Sequence, residues 1–360
     1  MSESSKRKWL RFVPGAEWGR AGGLFFFLYM AVCLVRLPVL LDLAASPLVE
    51  NRLGALIIMI GAVLLYVAAV FPALLRREPD RRRLAAWKGR FRTNRLAVVG
   101  LWFFLAALVL SLLSPIIAPY DPAAQHDPAL NRYQAPSLQH PMGTDKFGRD
   151  LFSRVLYGSR VSLTVSVAAV VFASFLGLFF GAFSGYFGGW VDDVAMRVVD
   201  GLLAFPRLLL MLTLLAFFAH ALWVVVALLA ATGWMGIARL VRAEVLSLKK
   251  RDFVQAAHAS GAGRLRVVLK HLLPNTAGPV VVAATLRVGT IILLESYLSF
   301  LGLGVQPPTP SWGSMVFEGR DVLLSAWWVS AFPGLALVLA VVACNLLGDG
   351  LRDAMDVKRA

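Results

Sequence analysis

Charge is scarce in this chain, and acid scarcer than base: 16% of its 360 residues are charged, with 21 Asp and Glu against 36 Lys and Arg. A soluble domain covers itself with roughly a quarter charged residues, so water is excluded as the main solvent. Cysteine is limited to Cys33 and Cys344, both inside apolar runs, which excludes an extracytoplasmic disulfide framework and leaves them as small buried hydrophobes. No Gly-Lys pair occurs, so the phosphate-cradling pattern G-x-x-x-x-G-K-[ST] is missing, which excludes a nucleotide-binding loop of that type in this chain. Short segments of alternating hydrophobicity are lacking too, which argues against a β-barrel. No nucleophile, metal-ligand set or acid–base pair converges at one depth, as a membrane-embedded enzyme would require.

What is present is apolar length. Mean hydropathy is +0.70, and 58% of the residues are hydrophobic. A helix crosses the bilayer core with about 20 apolar residues, and eight candidate spans stand out at 24–41, 53–75, 96–118, 161–187, 198–219, 221–240, 276–304 and 326–347. The first follows Lys6, Arg7, Lys8 and Arg11 like a signal sequence, but it is long, contains Arg36 and Pro38, and has no small-residue cleavage pattern, so it is retained as a span. Arg36 reads as a snorkelling or helix-packing residue.

The formal charge of +15 is unevenly placed. Nine basic residues lie from Arg76 to Arg95 and eight from Arg239 to Lys270, which puts both connections in the cytoplasm. Residues 119–159 balance Asp121, Asp127, Asp145 and Asp150 with Arg132, Lys146, Arg149 and Arg154, and belong outside, as does the proline-rich loop Gln306 to Gly313. Both loops suit docking of another protein or serve as ordered connections. Residues 188–197 read as a short inside loop by parity. Both termini then fall in the cytoplasm, and the charge excess is assigned to the membrane surface, with no nucleic acid as partner.

The basic linker divides the chain into an N-terminal extension, 1–90, with two spans, and a six-helix core, 91–360. That core comprises a first span and outside loop, 91–159, and a multi-span domain, 160–355, holding a cytoplasmic loop at 242–275. In this loop Ala256, Ala257 and Ala259 make a helix that a partner can approach closely, Gly261 permits a break with positive φ, and Leu265 to Leu269 resume an apolar face. Two short helices meeting at a glycine elbow are predicted, the second ended by Pro274 before the next span begins.

The order Gln255-Ala256-Ala257, Gly261, His271-Leu272-Leu273-Pro274 resembles the "EAA" coupling loop of ABC importer permeases, with Gln255 for the usual Glu and His271 where Ile is common. Five further segments are similar to the second permease subunit of dipeptide, oligopeptide and nickel importers. They are His140 to Asp150, Ser184 to Trp190, Leu298 to Gly304, Pro307 to Gly313 and Asn345 to Asp353. The resemblance runs from about Phe91 to the C-terminus. It implies an all-α polytopic type I permease bundle of six helices, here with two extra ones, in a bacterial or archaeal cytoplasmic membrane. It further implies no bound cofactor, pairing with a homologous second permease, two ATP-binding subunits docked on Gln255, Ala256, Ala257, Gly261, Leu273 and Pro274, and an extracytoplasmic solute-binding protein. Peptides, nickel chelates, glycosides and peptide-like antibiotics are handled by similar subunits. An ion-driven secondary transporter is the rival, but it needs intramembrane ion ligands and often paired repeats.

Asp200, Arg207, Arg287 and Glu295 sit in or near spans, where ionisable groups usually face a bundle interior or a water-filled path. Arg287 and Glu295 are candidate pathway residues; eight positions apart on one helix, about 12 Å, they cannot pair. Glu295 reads equally as lining the route and as a joint between helices, whereas the structural reading is favoured for Asp200, Arg207 and Arg287. Gly177, Gly181 and Gly185 recur at the spacing for close helix packing. His126, Asp127, His140 and Asp145 raise a metal site, although their spacing fits no compact ligand motif and Asp-rich turns commonly bond their own backbone.

Overall fold

The computed structural model describes residues 89–125, 128–217 and 222–355; the first two predicted spans, Arg36, Cys33 and most of the basic linker lie outside them. All described residues fall within one compact unit, Tyr66–Ala360. Among them no strand forms, only an isolated bridge between Thr144 and Asp150. The bundle is all-helical, as it must be if every backbone group is to be satisfied in lipid.

Helix α1, Arg95–Ile117, begins where the Asn94 side chain accepts the Ala97 amide at 3.2 Å. It exposes Trp102, Phe103 and Ile116 along a lipid-compatible face. Helix α2, Leu151–Phe187, is capped by Asp150, whose carboxylate accepts the Ser153 amide at 2.7 Å. At 37 residues it is about 55 Å long, ten residues longer at its start than the predicted span at 161. Polar residues Ser153, Arg154, Ser159 and Arg160 hid that extension, because each is buried and finds its partner within the protein and not in water.

Two expectations fail between residues 188 and 219. The predicted loop 188–197 is the first part of helix α3, Gly189–Leu203, and the predicted span 198–219 is broken. Helix α4, Arg207–Phe217, leaves α3 at 88° across Ala204, Phe205 and Pro206. Pro206 accounts for the break, since the residue before a proline is pushed out of the helical region. Helix α3 is amphipathic: Met196, Val199 and Leu202 pack on Trp234, Met235 and Ala238, while Trp190, Val191 and Val198 are exposed.

Helices α5, Leu222–Gly233, and α6, Met235–Leu248, run nearly end to end across a break at Trp234 and together are long enough to cross a membrane. The sixth span therefore extends past residue 240, and the first seven residues of the predicted loop 242–275 are the tail of α6. Helix α7, Asp252–Ala259, and helix α8, Arg264–Val267, form the elbow. The chain then passes through a wide π turn, Val268–Leu272, straight into helix α9, Leu273–Phe300. Pro274 thus does not end a helix. Its missing N–H and its ring are incompatible with tight α-helical bonding to the preceding turn, and the π turn, with the Leu273 amide bonded back to the Val268 carbonyl, makes room for it. Helix α10, Trp312–Gly319, and helix α11, Trp328–Met355, complete the fold; α11 carries the last predicted span eight residues past 347, through Asp349 and Arg352.

Five helical runs are long and apolar enough to cross a membrane, or six with the bent α3–α4 pair, among the described residues. Helix α2 is the central column and packs against α1, α5, α6 and α9. Its closest approach is to α6. A Cβ on Gly177 would sit 2.6 Å from the Ile237 Cβ, and one on Gly185 would sit 3.0 Å from the Arg242 carbonyl oxygen. The glycine stripe is the contact surface of the two helices. Gly177→Val should therefore lower stability by about 1–3 kcal/mol through overpacking, seen as a lower thermal midpoint in detergent. Gly201→Ala, where a Cβ meets nothing within 4 Å, should leave the midpoint unchanged or raise it.

Candidate functional site

Three polar arrangements are built on this column. The first is the elbow. Helix α7 ends in a left-handed turn at Gly261, φ +77°, where the Gly261 amide donates to the His258 carbonyl at 2.9 Å and the Ala262 amide to Ala257 at 3.0 Å. A Cβ at Gly261 would meet no atom, so the demand for glycine there is conformational. Val254, Val267, Val268 and Leu272 anchor the elbow from beneath to Tyr186 at the end of α2 and Val245 on α6. Tyr186 Oη and His258 Nε2 lie 3.4 Å apart, and Lys249 Nζ donates to the Tyr186 carbonyl at 3.2 Å.

The opposite face is exposed and mixes small, apolar and charged residues. Gln255, Ala256, Ala259 and Gly261 are exposed, and Leu265 and Leu269 project as exposed apolar side chains. Gln255 makes no ion pair; its amide donates weakly to the Lys250 carbonyl at 3.4 Å. Ala257, Leu273 and Pro274 are half-buried and belong to the anchoring side more than to the open face.

At the other end of α2 lies a buried ionic cluster that sequence reasoning did not assemble. Asp145 receives Arg149 Nε at 2.6 Å and also Arg154, while Glu318 on α10 receives Arg154 through Nη1 and Nη2 at 2.8 and 3.1 Å and Arg149 at 3.1 Å. Two guanidinium groups meet two carboxylates with little access to water. The signal was present: Glu318 is the single acid in the apolar stretch from Trp312 to Gly319. Trp312 Nε1 also donates to the Val155 carbonyl at 3.1 Å, so α10 is fastened to α2 twice. His140 Nδ1 sits 2.9 Å from Asp150, not Asp145, so these residues of the considered metal set have separate partners; His126 and Asp127 lie outside the described residues.

The third arrangement lies between these ends. Glu295 is fully buried and accepts Ser162 Oγ of α2 at 3.0 Å and Ser299 Oγ at 2.8 Å, an arrangement that joins two helices. Arg287, eight residues before it, turns to α5 and donates to the Gly233 carbonyl at 2.8 Å. Arg207 donates to the Leu229 carbonyl and to Thr232 Oγ1, each at 3.2 Å. Asp200 is paired with Arg239 near the α3 surface, and Asp192 holds Arg242 through two bonds of 2.6 Å.

Residues 177–359 match the family described as the binding-protein-dependent transport system inner membrane component, and residues 82–136 match the N-terminal TM domain of oligopeptide transport permease C. The chain belongs to this family of transport permeases. It is similar to the glutathione transport system permease protein GsiD of Escherichia coli O157:H7, 42% identical over 293 residues that cover 81% of this chain and 96% of the relative. The dipeptide transport system permease protein DppC of Alkalihalophilus pseudofirmus is 40% identical over 284 residues, 78% of this chain and 93% of the relative. The permease is thus a multi-pass membrane protein of the peptide and oligopeptide branch.

Breaking the ionic cluster leaves a charge buried without its partner, which costs about 3–5 kcal/mol. Glu318→Gln should lower the thermal midpoint of the permease in detergent well below that of Asp321→Asn, which touches only the exposed pair with Arg320 and should leave it unchanged.

Proposed function

We propose that the chain is one of two membrane-spanning subunits of an ATP-driven importer for short peptides or peptide-like solutes. It pairs with a homologous permease, receives cargo from an extracytoplasmic binding protein, and is driven by two ATP-binding subunits, one of which seats on the elbow from Gln255 to Pro274. The observation that carries this reading is the elbow itself, whose outward face exposes small residues, two leucines and several basic side chains while its inward face is packed onto the ends of α2 and α6. The relatives named for glutathione and dipeptides support a peptide cargo.

Lys249, Lys250, Arg251, Arg264, Arg266 and Lys270 crowd the elbow end, which supports a cytoplasmic placement for it and an outside placement for the Asp145–Glu318 cluster. Both termini then lie in the cytoplasm. When ATP draws the two partner subunits together, the elbow is displaced and, through Val254 and Val268, carries the end of α2 with it. The nucleotide acts by binding one arrangement of the assembly more tightly than the other.

Affinity purification of the tagged chain from gently solubilised membranes should recover a second permease and two ATPases. Gly261→Pro, which cannot adopt φ +77°, should retain the second permease and lose the ATPases. Recovery of the chain alone, together with uptake into proteoliposomes driven by an ion gradient without ATP, would overturn the proposal in favour of a secondary transporter.

A further inference from the structure

Among the described residues four acids of this bundle are paired with arginine, and Glu295 is held by serine hydroxyls alone. Asp145, Glu318, Asp192 and Asp200 each hold an arginine. Arg207 and Arg287 have no acidic partner among the described residues. They come from different helices, α4 and α9, and converge on the same place, the carbonyl-rich end of α5 where the chain breaks at Trp234. Arg207 bonds to Leu229 and Thr232, and Arg287 to Gly233. A Cβ at Gly233 would lie 3.2 Å from Arg207 Nη2, and one at Gly236 would collide with the Arg287 guanidinium, so backbone without side chains makes the space for both cations. Both cations therefore sit beside one residue, Gly233, with Arg207 Nη2 against the position of its missing Cβ and Arg287 on its carbonyl.

Carbonyl dipoles orient these arginines without neutralising them. A guanidinium carries five N–H donors; two of Arg207 and one of Arg287 are used on the bonds described. Both side chains remain half-buried and not sealed. Both lie well inside their helices: Gly233 is eleven residues beyond the start of α5 and Arg287 fourteen beyond the start of α9, about 16 and 21 Å along them. An uncompensated charge at that depth is costly and marks a site for a charged ligand.

We propose that Arg207 and Arg287 together form an anion site that binds a carboxylate of the cargo during its passage through the membrane. The inference rests on the peptide-importer reading, because a short peptide always carries such a group at its C-terminus. Planar guanidinium groups hold a carboxylate through paired, charge-assisted hydrogen bonds, which lysine does less well.

The test uses the purified complete transporter without its binding protein, and measures equilibrium binding of a radiolabelled dipeptide and of the same dipeptide with a C-terminal amide. Wild type should bind the free carboxylate roughly ten- to a hundredfold more tightly, as expected for hydrogen bonds between charged groups. Arg207→Gln and Arg287→Gln should each reduce that ratio severalfold, and Arg287→Lys, which keeps the charge, should retain part of it and serves where a glutamine variant fails to assemble. Equal binding of the two forms by wild type, absence of binding, or a ratio unchanged in every variant that assembles would overturn the anion site and leave the arginines as caps on α5. Uptake of the dipeptide by wild-type proteoliposomes supplied with binding protein and ATP separates the two conclusions: its absence would sink the peptide reading, whereas uptake without discrimination would sink the anion site alone.

Discussion

Lipid chains are as apolar as leucine, so two helices in a bilayer gain little by burying apolar side chains against each other and associate through close van der Waals contact. The α2–α6 seam answers that constraint with Gly177, Gly181 and Gly185, which bring the backbone of α2 onto Ile237, Ala238 and Val241. Everything at the elbow end depends on this approach. Because the two helices are that near, their ends offer Tyr186 and Val245 as neighbouring faces of one cradle, into which Val254, Val267 and Leu272 fit. With a wider seam the cradle would open, and the elbow would have no packed inner side to fix its outer one.

Electrostatics sets the opposite end. A buried ion pair contributes little net stability, since desolvation consumes most of the attraction. What the Asp145–Arg149–Arg154–Glu318 cluster does contribute is position: the forked bonds from Arg154 to both oxygens of Glu318 are satisfied at one rotation of α10 about α2. Trp312, bonded to Val155 on the same pair of helices, removes the remaining freedom. Apolar residues could hold these elements together in lipid, but they would tolerate sliding.

The sequence showed the solvent, the helices and the elbow because each has a signal on one contiguous stretch. Twenty apolar residues announce α1, and Gly261 between two alanine- and leucine-bearing turns announces the break. It misplaced what depends on the partner across a gap. Residues 151–160 look like loop because Arg154, Ser159 and Arg160 are polar, and nothing local reveals that Glu318, more than 160 positions away, is waiting for Arg154. The stretch 188–197 looks like loop because Asp192 and Asp193 interrupt it, although Asp192 is paired with Arg242 on α6. Pro274 looks like a terminator because the π turn that accommodates it leaves no mark in composition. Arg287 and Glu295 stood out as charges in an apolar run, but their neighbours, Gly233 and Ser162, are silent residues in other helices.

These features combine into a mechanical asymmetry. Helix α2 is unbroken over about 55 Å, fixed at one end to the elbow and at the other to α10, so a displacement delivered at the elbow reaches the far end without being absorbed in between. The helices beside it are divided: α3 from α4 at Pro206, and α5 from α6 at Trp234. Bending is cheap where backbone hydrogen bonds are already interrupted and expensive along an intact helix. A movement of the column is therefore taken up at the breaks, and Arg207 and Arg287 are both attached beside the second of them, to the last residues of α5. Arg207 and Arg287, neither of which pairs with an acid among the described residues, thus lie at a junction of stiff and broken helices.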